Sequence, residues 1–342
     1  MAQGDRRTER DIVASLAHIE HLSGRFEQAR VIYPRVVTLA RELGDHRGEC
    51  SALGLLGNLL VVLDEHDAAE NYLRTQLAVA REHGIRDGQL SASFGLTTIA
   101  MWRGDYADAR AHLERQIELS RGLPSRAALA HATFAQLCYE MGQLDEAERN
   151  VALGLERAEA GQLRHLVCFL RACAAEDART RGNGAAAEAL YRDAVLIARE
   201  VGAQHAVAEA QLGLGRLLLE LGHANEARRC LRESAELSSR LQLESPGPLP
   251  QAYLALLGDA PATGLADGPP GICSLWAELH LVLHRAGAGA SHLAEAGELL
   301  SRMSRHLEGL ALVAFWSNFP PARLYRTEAA RHSPVAGFTP LG

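Results

Sequence analysis

A short turn pattern recurs at nearly constant spacing along most of the chain. Its clearest copy is Gly142–Ala147, in which an apolar residue follows the glycine by two positions and alanine follows it by five. Related segments begin at residues 24, 64, 104, 182 and 222, so successive copies lie 40, 40, 38, 40 and 40 residues apart. A regular period of this length is typical of a solenoid, in which each repeat packs on its neighbours.

Each repeat is predicted to be an antiparallel pair of helices joined by this turn. The apolar periodicity gives the pairs 8–22 with 26–42, 48–63 with 67–83, 88–102 with 106–121, 126–141 with 145–159, 164–180 with 185–200, and 205–220 with 225–240. Glycines such as Gly44, Gly84 and Gly202 follow the second helix, where a left-handed cap residue is expected.

Two positions in each repeat carry small residues throughout. Seven residues before the first turn residue stand Ala17, Gly57, Thr97, Ala135, Ala175 and Gly215. Five residues after it stand Ala29, Ala69, Ala109, Ala147, Ala187 and Ala227. Small side chains allow two crossing helices to approach closely, so we expect both positions to lie at the helix crossing. The acidic residues at the start of the second helix are interpreted as dipole-complementing caps.

Beyond the six repeats the regular spacing weakens. We divide the chain into six hairpins over 1–240, a degenerate half repeat with a Pro/Gly-rich insertion over 241–271, a further hairpin over 272–309, a C-terminal capping segment over 310–331 and a disordered tail over 332–342. The apolar, aromatic segment around 310–316 suits a cap over the exposed end of a helical stack.

The small residues, the turn glycine, the apolar residue after it and the alanine resemble the tetratricopeptide repeat family. The resemblance is carried by Ala17, Gly24, Phe26 and Ala29, for example, and it covers residues 8–240. It implies an all-α fold, a right-handed superhelical solenoid of antiparallel helix pairs. The period of 40 is longer than is usual in that family. Longer repeats of this kind are similar to the helical arrays of bacterial signalling ATPases, maltose-regulator-like transcription activators and multidomain serine/threonine kinases.

The resemblance also implies a concave groove lined by the first helix of each repeat. Its lining residues are one, four and five positions after the first small residue, and three and six positions before it. The expected partner-binding residues are His18, His21, Asn58, Phe94, Thr98, Trp102, Gln136, Tyr139, Glu140, Glu176, Arg179, Arg216 and Glu220. Trp102 is either a binding anchor, as a large rigid ring with a polar group, or a residue that packs between repeats.

Composition limits the classes of partner and compartment. The formal net charge of −7 gives no general attraction to nucleic acid or to an anionic membrane. The six cysteines are scattered within helical patterns, which is typical of buried thiols in a reducing cytoplasm. The N-terminal segment is polar, without the pattern of a signal peptide, and no apolar run has the length of a membrane span. We therefore expect a cytoplasmic protein, and the all-arginine basic content suggests a bacterial one.

No residue pattern indicates a reaction. All 35 basic residues are arginine, so the lysine of a phosphate-binding loop is missing. His280 and His284 lie four residues apart, and His18 and His21 three apart; either pair could supply two metal ligands or acid–base groups, but no third ligand is apparent. We expect no metal, no cofactor and no catalytic residues.

The functional prediction is a non-enzymatic interaction module that binds a protein segment or peptide in the groove. It would be a scaffold or regulatory module, either free-standing or the C-terminal part of a larger bacterial signalling or transcription protein. The alternative is a sensing module that responds to a small molecule or peptide. A third hypothesis, less favoured, is an enzyme that uses the groove as its active site.

Overall fold

The computed structural model describes residues 2–23, 25–63, 65–243, 247–267 and 272–332. Within these residues the secondary structure consists of helices alone. Their bounds are α1 Ala2–Leu22, α2 Phe26–Glu42, α3 His46–Val62, α4 His66–Glu82, α5 Arg86–Arg103, α6 Tyr106–Leu119, α7 Pro124–Glu140, α8 Leu144–Ala160, α9 Arg164–Thr180, α10 Gly184–Glu200, α11 Gln204–Glu220, α12 Ala224–Leu241, α13 Leu249–Leu256, α14 Cys273–Arg285, α15 Ser291–Ser304, α16 Gly309–Asn318 and α17 Pro320–His332.

The predicted all-α class built from helix pairs is confirmed. Helices α2 and α9 have the predicted bounds, and the other repeat helices differ mostly by one or two residues, with α1 extending further toward the N-terminus. The glycines predicted as left-handed caps have positive φ angles, for example +66° at Gly44 and +71° at Gly202. The turn-start residues 24 and 64 lie outside the described residues, as do residues 333–342 of the tail predicted over 332–342. Residue His332, the first of that predicted tail, is the last residue of α17.

The chain forms two compact units. Unit 1 comprises residues 1–100 and 108–121, and unit 2 comprises residues 101–107 and 122–342. The core of unit 1 is a continuous set of buried alanine, leucine, valine and isoleucine side chains from the facing sides of α1 to α5, with Tyr33 among them. In unit 2, α7 packs on α8, α9 on α10, α11 on α12 and α14 on α15.

The small positions lie at the helix crossings, as predicted. The six alanines of the second helices are at most 3% exposed. A Cβ atom at Gly57 would lie 2.7 Å from Leu73 Cδ2, and one at Gly215 would lie 2.8 Å from Leu231 Cγ. These distances are too short for two carbon atoms, so a side chain at either glycine would displace the leucine of the second helix from its present position.

The C-terminal helices contact the turns of repeats three and four within unit 2. Asn318, at the end of α16, donates from Nδ2 to the carbonyl oxygen of Gly142 at 2.8 Å. Gly142 has a φ of +72°, and the Ala314 carbonyl of α16 lies so close that no side chain would fit there. Arg305, after α15, forms an ion pair with Asp105. The segment expected to cap the array therefore folds back onto these middle repeats.

No described helix combines the length and the apolar character that crossing a membrane requires.

Replacing Ala147 with leucine should overpack the α7–α8 crossing and lower the free energy of unfolding by about 1–3 kcal/mol. The matched control is Ala152→Leu on the same helix, where the alanine is exposed and the change should stay within about 0.5 kcal/mol. Urea denaturation of both variants measures the difference. Equal stability of the two would show that the crossing tolerates extra volume.

Candidate functional site

Unit 2 contains a cavity of about 170 Å³ between its repeat helices and its C-terminal helices. Helices α7, α9, α10 and α11 supply one side of it, and α14 with Phe319 and Pro321 supplies the other. The lining residues are Gln136, Tyr139, Glu140, Phe169, Ala172, Cys173, Glu176, Arg179, Tyr191, Glu209, Leu212, Arg216, Ser274, Leu275, Glu278, Phe319 and Pro321. The cavity thus lies on the side of these repeat helices that the C-terminal helices cover.

Six of the predicted groove residues meet at this cavity. They are Gln136, Tyr139, Glu140, Glu176, Arg179 and Arg216. Their convergence follows from the repeat register, because equivalent positions on successive first helices face the same side. Glu220, also predicted, is half-exposed and accepts a hydrogen bond of 2.5 Å from Arg179 Nη1. Trp102 is half-buried in unit 2 and is not among the lining residues.

Glu176 is the centre of the polar network. Its Oε2 accepts hydrogen bonds from Arg179 Nη2 at 2.8 Å and from Tyr139 Oη at 3.0 Å. Its Oε1 accepts one from Arg216 Nη2. Three first helices are therefore joined through one carboxylate, because Tyr139 belongs to α7, Glu176 and Arg179 to α9, and Arg216 to α11.

Helix α14 extends the network from the opposite side. Arg216 Nη1 donates to both carboxylate oxygens of Glu278, at 2.9 and 2.8 Å. Tyr253 Oη donates to Glu278 Oε1 at 2.5 Å. A ring contact supports the same closure, since Phe319 lies edge-on to Tyr139 with centroids 6.2 Å apart. The C-terminal helices are thus held by a charged pair, a ring contact and the Asn318 hydrogen bond.

Two glutamates of the cavity have pKa values shifted in opposite directions. Burial alone would raise the pKa of Glu176, but the guanidiniums of Arg179 and Arg216 lower it to about 2. Burial raises the pKa of Glu140, and hydrogen bonds from Tyr106 and Gln136 only partly offset that rise. The difference follows from the donors, because Glu176 faces cations whereas Glu140 faces a neutral hydroxyl and a neutral amide.

Several lining residues were missing from the predicted set. Phe169 and Glu209 each lie six residues before the first small residue of their repeat, and Ala172 and Leu212 lie three before it. The register that identified Glu176 and Arg216 therefore also contains these four residues. Glu278 and Phe319 belong to the C-terminal helices, and no repeat position indicates them.

The remaining predicted residues lie in unit 1. Phe94 is 40% exposed, although it is a large apolar side chain. A Cβ atom at Gly95 would lie 3.1 Å from Asn58 Oδ1, so α5 closely approaches α3 beside Phe94. Thr98 is exposed, and its hydroxyl donates to the Phe94 carbonyl oxygen at 3.1 Å. Phe94, Asn58 and Thr98 thus form one accessible patch.

The two histidines of α1 differ in their surroundings. His18 is exposed. His21 lies edge-on to Phe26 and Tyr33, and its Nδ1 is 3.3 Å from Tyr33 Oη. Burial, together with the charge of His18, lowers the pKa of His21. His21 therefore has a packing role in the first repeat.

The histidines of α14 have separate partners. His280 Nδ1 lies 2.9 Å from His292 Nδ1, which requires one ring to donate and the other to accept. His284 Nδ1 instead lies 3.4 Å from the carbonyl oxygen of Gly289. Within the described ranges, no three His, Cys, Asp or Glu side chains are grouped as a metal site would require.

The family model for the tetratricopeptide repeat matches residues 10–82 and 167–240. Among curated proteins, the chain is similar to the regulatory protein AfsR of Streptomyces griseus, with 26% identity over 242 residues. That match covers 70% of this chain and 24% of AfsR, so the chain spans about a quarter of the relative's length.

Two solved structures show similarity of fold. The apo form of RapI superposes with a TM-score of 0.62 at 12% identity, covering 93% of this chain and 99% of that one. A signal transduction ATPase with numerous domains from Pyrococcus horikoshii, which has a tetratricopeptide repeat sensor, gives 0.55 at 14% identity. The match covers 89% of this chain and 43% of the ATPase.

Replacing Arg216 with methionine should lower the free energy of unfolding by about 3–5 kcal/mol, because Glu176 and Glu278 would lose a shared buried partner. Arg192→Met is the control, since Arg192 pairs with Glu188 and Glu226 at an exposed site and should cost less than about 1 kcal/mol. Denaturant titration measures both. A similar small loss for both variants would contradict a stabilising network.

The His280–His292 pair should make stability depend on pH. Burial and the neighbouring His292 lower the pKa of His280 from 6.5 to about 4. Between these values the unfolded chain binds the proton and the folded chain does not, so this contribution to stability is lost as pH falls from 6.5 toward 4. The His280→Gln variant should lose less stability over that range than the wild type, measured by denaturation. The exposed His223→Gln variant should match the wild type.

Proposed function

Because residues 10–82 and 167–240 belong to the tetratricopeptide repeat family, we propose that the chain is a non-enzymatic regulatory module that binds a protein segment. The similarity to a regulatory protein supports this role. Since the chain spans 24% of that protein, its place would be within a larger bacterial signalling or transcription regulator. The six cysteines are free thiols, which supports a cytoplasmic location.

The observation that carries the proposal is the exposure of Phe94 beside Asn58 and Thr98. An aromatic ring with polar neighbours is the usual anchor for a bound segment. The predicted groove residues of unit 2 have intramolecular partners, as Arg216 has in Glu278. The patch of unit 1 is therefore the part of the predicted groove that we assign to an external partner.

A photo-crosslinking amino acid at position 94 should capture a specific partner in cells that produce the protein naturally. Its matched control is the same amino acid at position 31, because Val31 is 74% exposed on α2, a second helix of the same unit. Mass spectrometry of the crosslinked chains identifies the captured proteins. The same crosslinked proteins at both positions would reject the Phe94 patch as the binding site.

The cavity of unit 2 favours a second function, which is ligand sensing. It lies between the repeat helices and the C-terminal helices, so an occupant would contact both Arg216 and Phe319. A ligand that binds one arrangement of these helices better than another shifts the population toward it. Sensing at the cavity and partner binding at the Phe94 patch would be two separate properties of one regulatory module.

A further inference from the structure

The charged groups around the cavity of unit 2 are unequal in number. The carboxylates are Glu140, Glu176, Glu209 and Glu278, and the guanidiniums are Arg179 and Arg216. The lining thus holds four potential negative charges and two positive ones, so the potential within the cavity favours a cation.

Both guanidiniums already bind carboxylates. Arg179 forms ion pairs with Glu176 and Glu220, and Arg216 forms them with Glu176 and Glu278. An anionic ligand would have to displace a buried carboxylate from either arginine. A cationic ligand requires no such exchange, and it would place positive charge near Glu140, whose hydrogen bonds come from neutral groups.

The rest of the lining suits a compact apolar body. Phe169, Tyr139, Tyr191 and Phe319 contribute aromatic rings, and Ala172, Leu212, Leu275 and Pro321 contribute aliphatic surface. Aromatic rings attract organic cations through their negative faces. The volume of about 170 Å³ is comparable with that of a cavity of about 150 Å³ that binds benzene.

Tyr191 lies next to the negative charge of the cavity. It is 1% exposed, and burial together with the neighbouring Glu176 carboxylate raises the pKa of its hydroxyl. Further negative charge is therefore disfavoured at this point of the lining.

We propose that this cavity binds a small organic cation, consisting of an ammonium group attached to an aromatic or similarly compact apolar body. The ammonium lies among the carboxylates of Glu140, Glu209 and Glu176, and the apolar body lies against Phe169 and Phe319. The inference rests on the sensing role proposed for the cavity, and it specifies the ligand class.

The pKa of the Cys173 thiol, in the cavity lining, responds to the same negative charge. Burial raises the pKa of its thiol, and the carboxylates of Glu209, Glu176 and Glu140 raise it further. Three carboxylates from three different helices therefore act on one point of the lining, where positive charge is favoured.

Calorimetric titration of the full chain with benzylammonium, benzyl alcohol and phenylacetate tests the ligand class. These probes share a ring and differ in charge. We expect benzylammonium to bind at least about tenfold more tightly than either of the others, a difference of about 1.4 kcal/mol. Tighter or equal binding of benzyl alcohol or phenylacetate would overturn the cation assignment and leave sensing at the cavity intact. Binding of none of the three would overturn the inference itself.

The Glu209→Gln variant tests whether the cation binds in the cavity, because it removes one cavity charge with little change of shape. This variant should weaken benzylammonium binding roughly tenfold, whereas Glu236→Gln, at an exposed position of α12, should leave it unchanged.

Bound benzylammonium should also slow alkylation of Cys173 and leave the rate at Cys230 unchanged. Equal effects of the two glutamine variants, or no protection of Cys173, would place the cation elsewhere and refute the assignment. The Cys173 measurement uses the unmodified chain, so it does not depend on the variants folding.

Discussion

The close crossing of paired helices is the constraint on which the repeat structure depends. At Gly57 and Gly215 the leucine of the second helix occupies the space where a side chain of the first would lie. At the partner position every repeat uses alanine, which is buried in all six copies. Because the constraint is local and recurs in each hairpin, it appears in the sequence as a period. Within unit 2, the first helices α7, α9 and α11 present equivalent positions to one side.

That local origin explains what the sequence predicted. The bounds of α2 and α9 follow from the apolar pattern and the flanking turns alone, and the repeat register brought Tyr139, Glu176 and Arg216 to one surface. The repeat pattern could not predict the C-terminal residues that contact the repeats from across the cavity. Glu278 is 62 residues from Arg216 along the chain, and Asn318 is 176 residues from Gly142. No periodic signal relates these pairs, because the C-terminal helices lie outside the repeats and fold back once.

Gly142 is constrained both by the local repeat pattern and by a long-range contact. Its glycine was predicted from the repeat, as a position between two helices. The structure adds a long-range reason, since α16 approaches Gly142 so closely that a side chain would collide with its backbone. A repeat position that carries glycine in five of six copies thus acquires a separate role in one of the two copies whose turns the C-terminal helices contact.

The charge in the cavity likewise comes from both the repeat helices and the C-terminal helices. Glu176 is stabilised as an anion by arginines that the repeat register supplies, whereas Glu140, one repeat earlier, meets only neutral donors. Helix α14 then adds a further carboxylate, Glu278, without adding an arginine to the lining. The C-terminal helices therefore enlarge an excess of negative charge that the repeat helices already supply, with the carboxylates of Glu140, Glu176 and Glu209 against the guanidiniums of Arg179 and Arg216. In unit 1 the same repeat positions carry Phe94 and Thr98 and remain exposed, so each surface suits a different class of ligand.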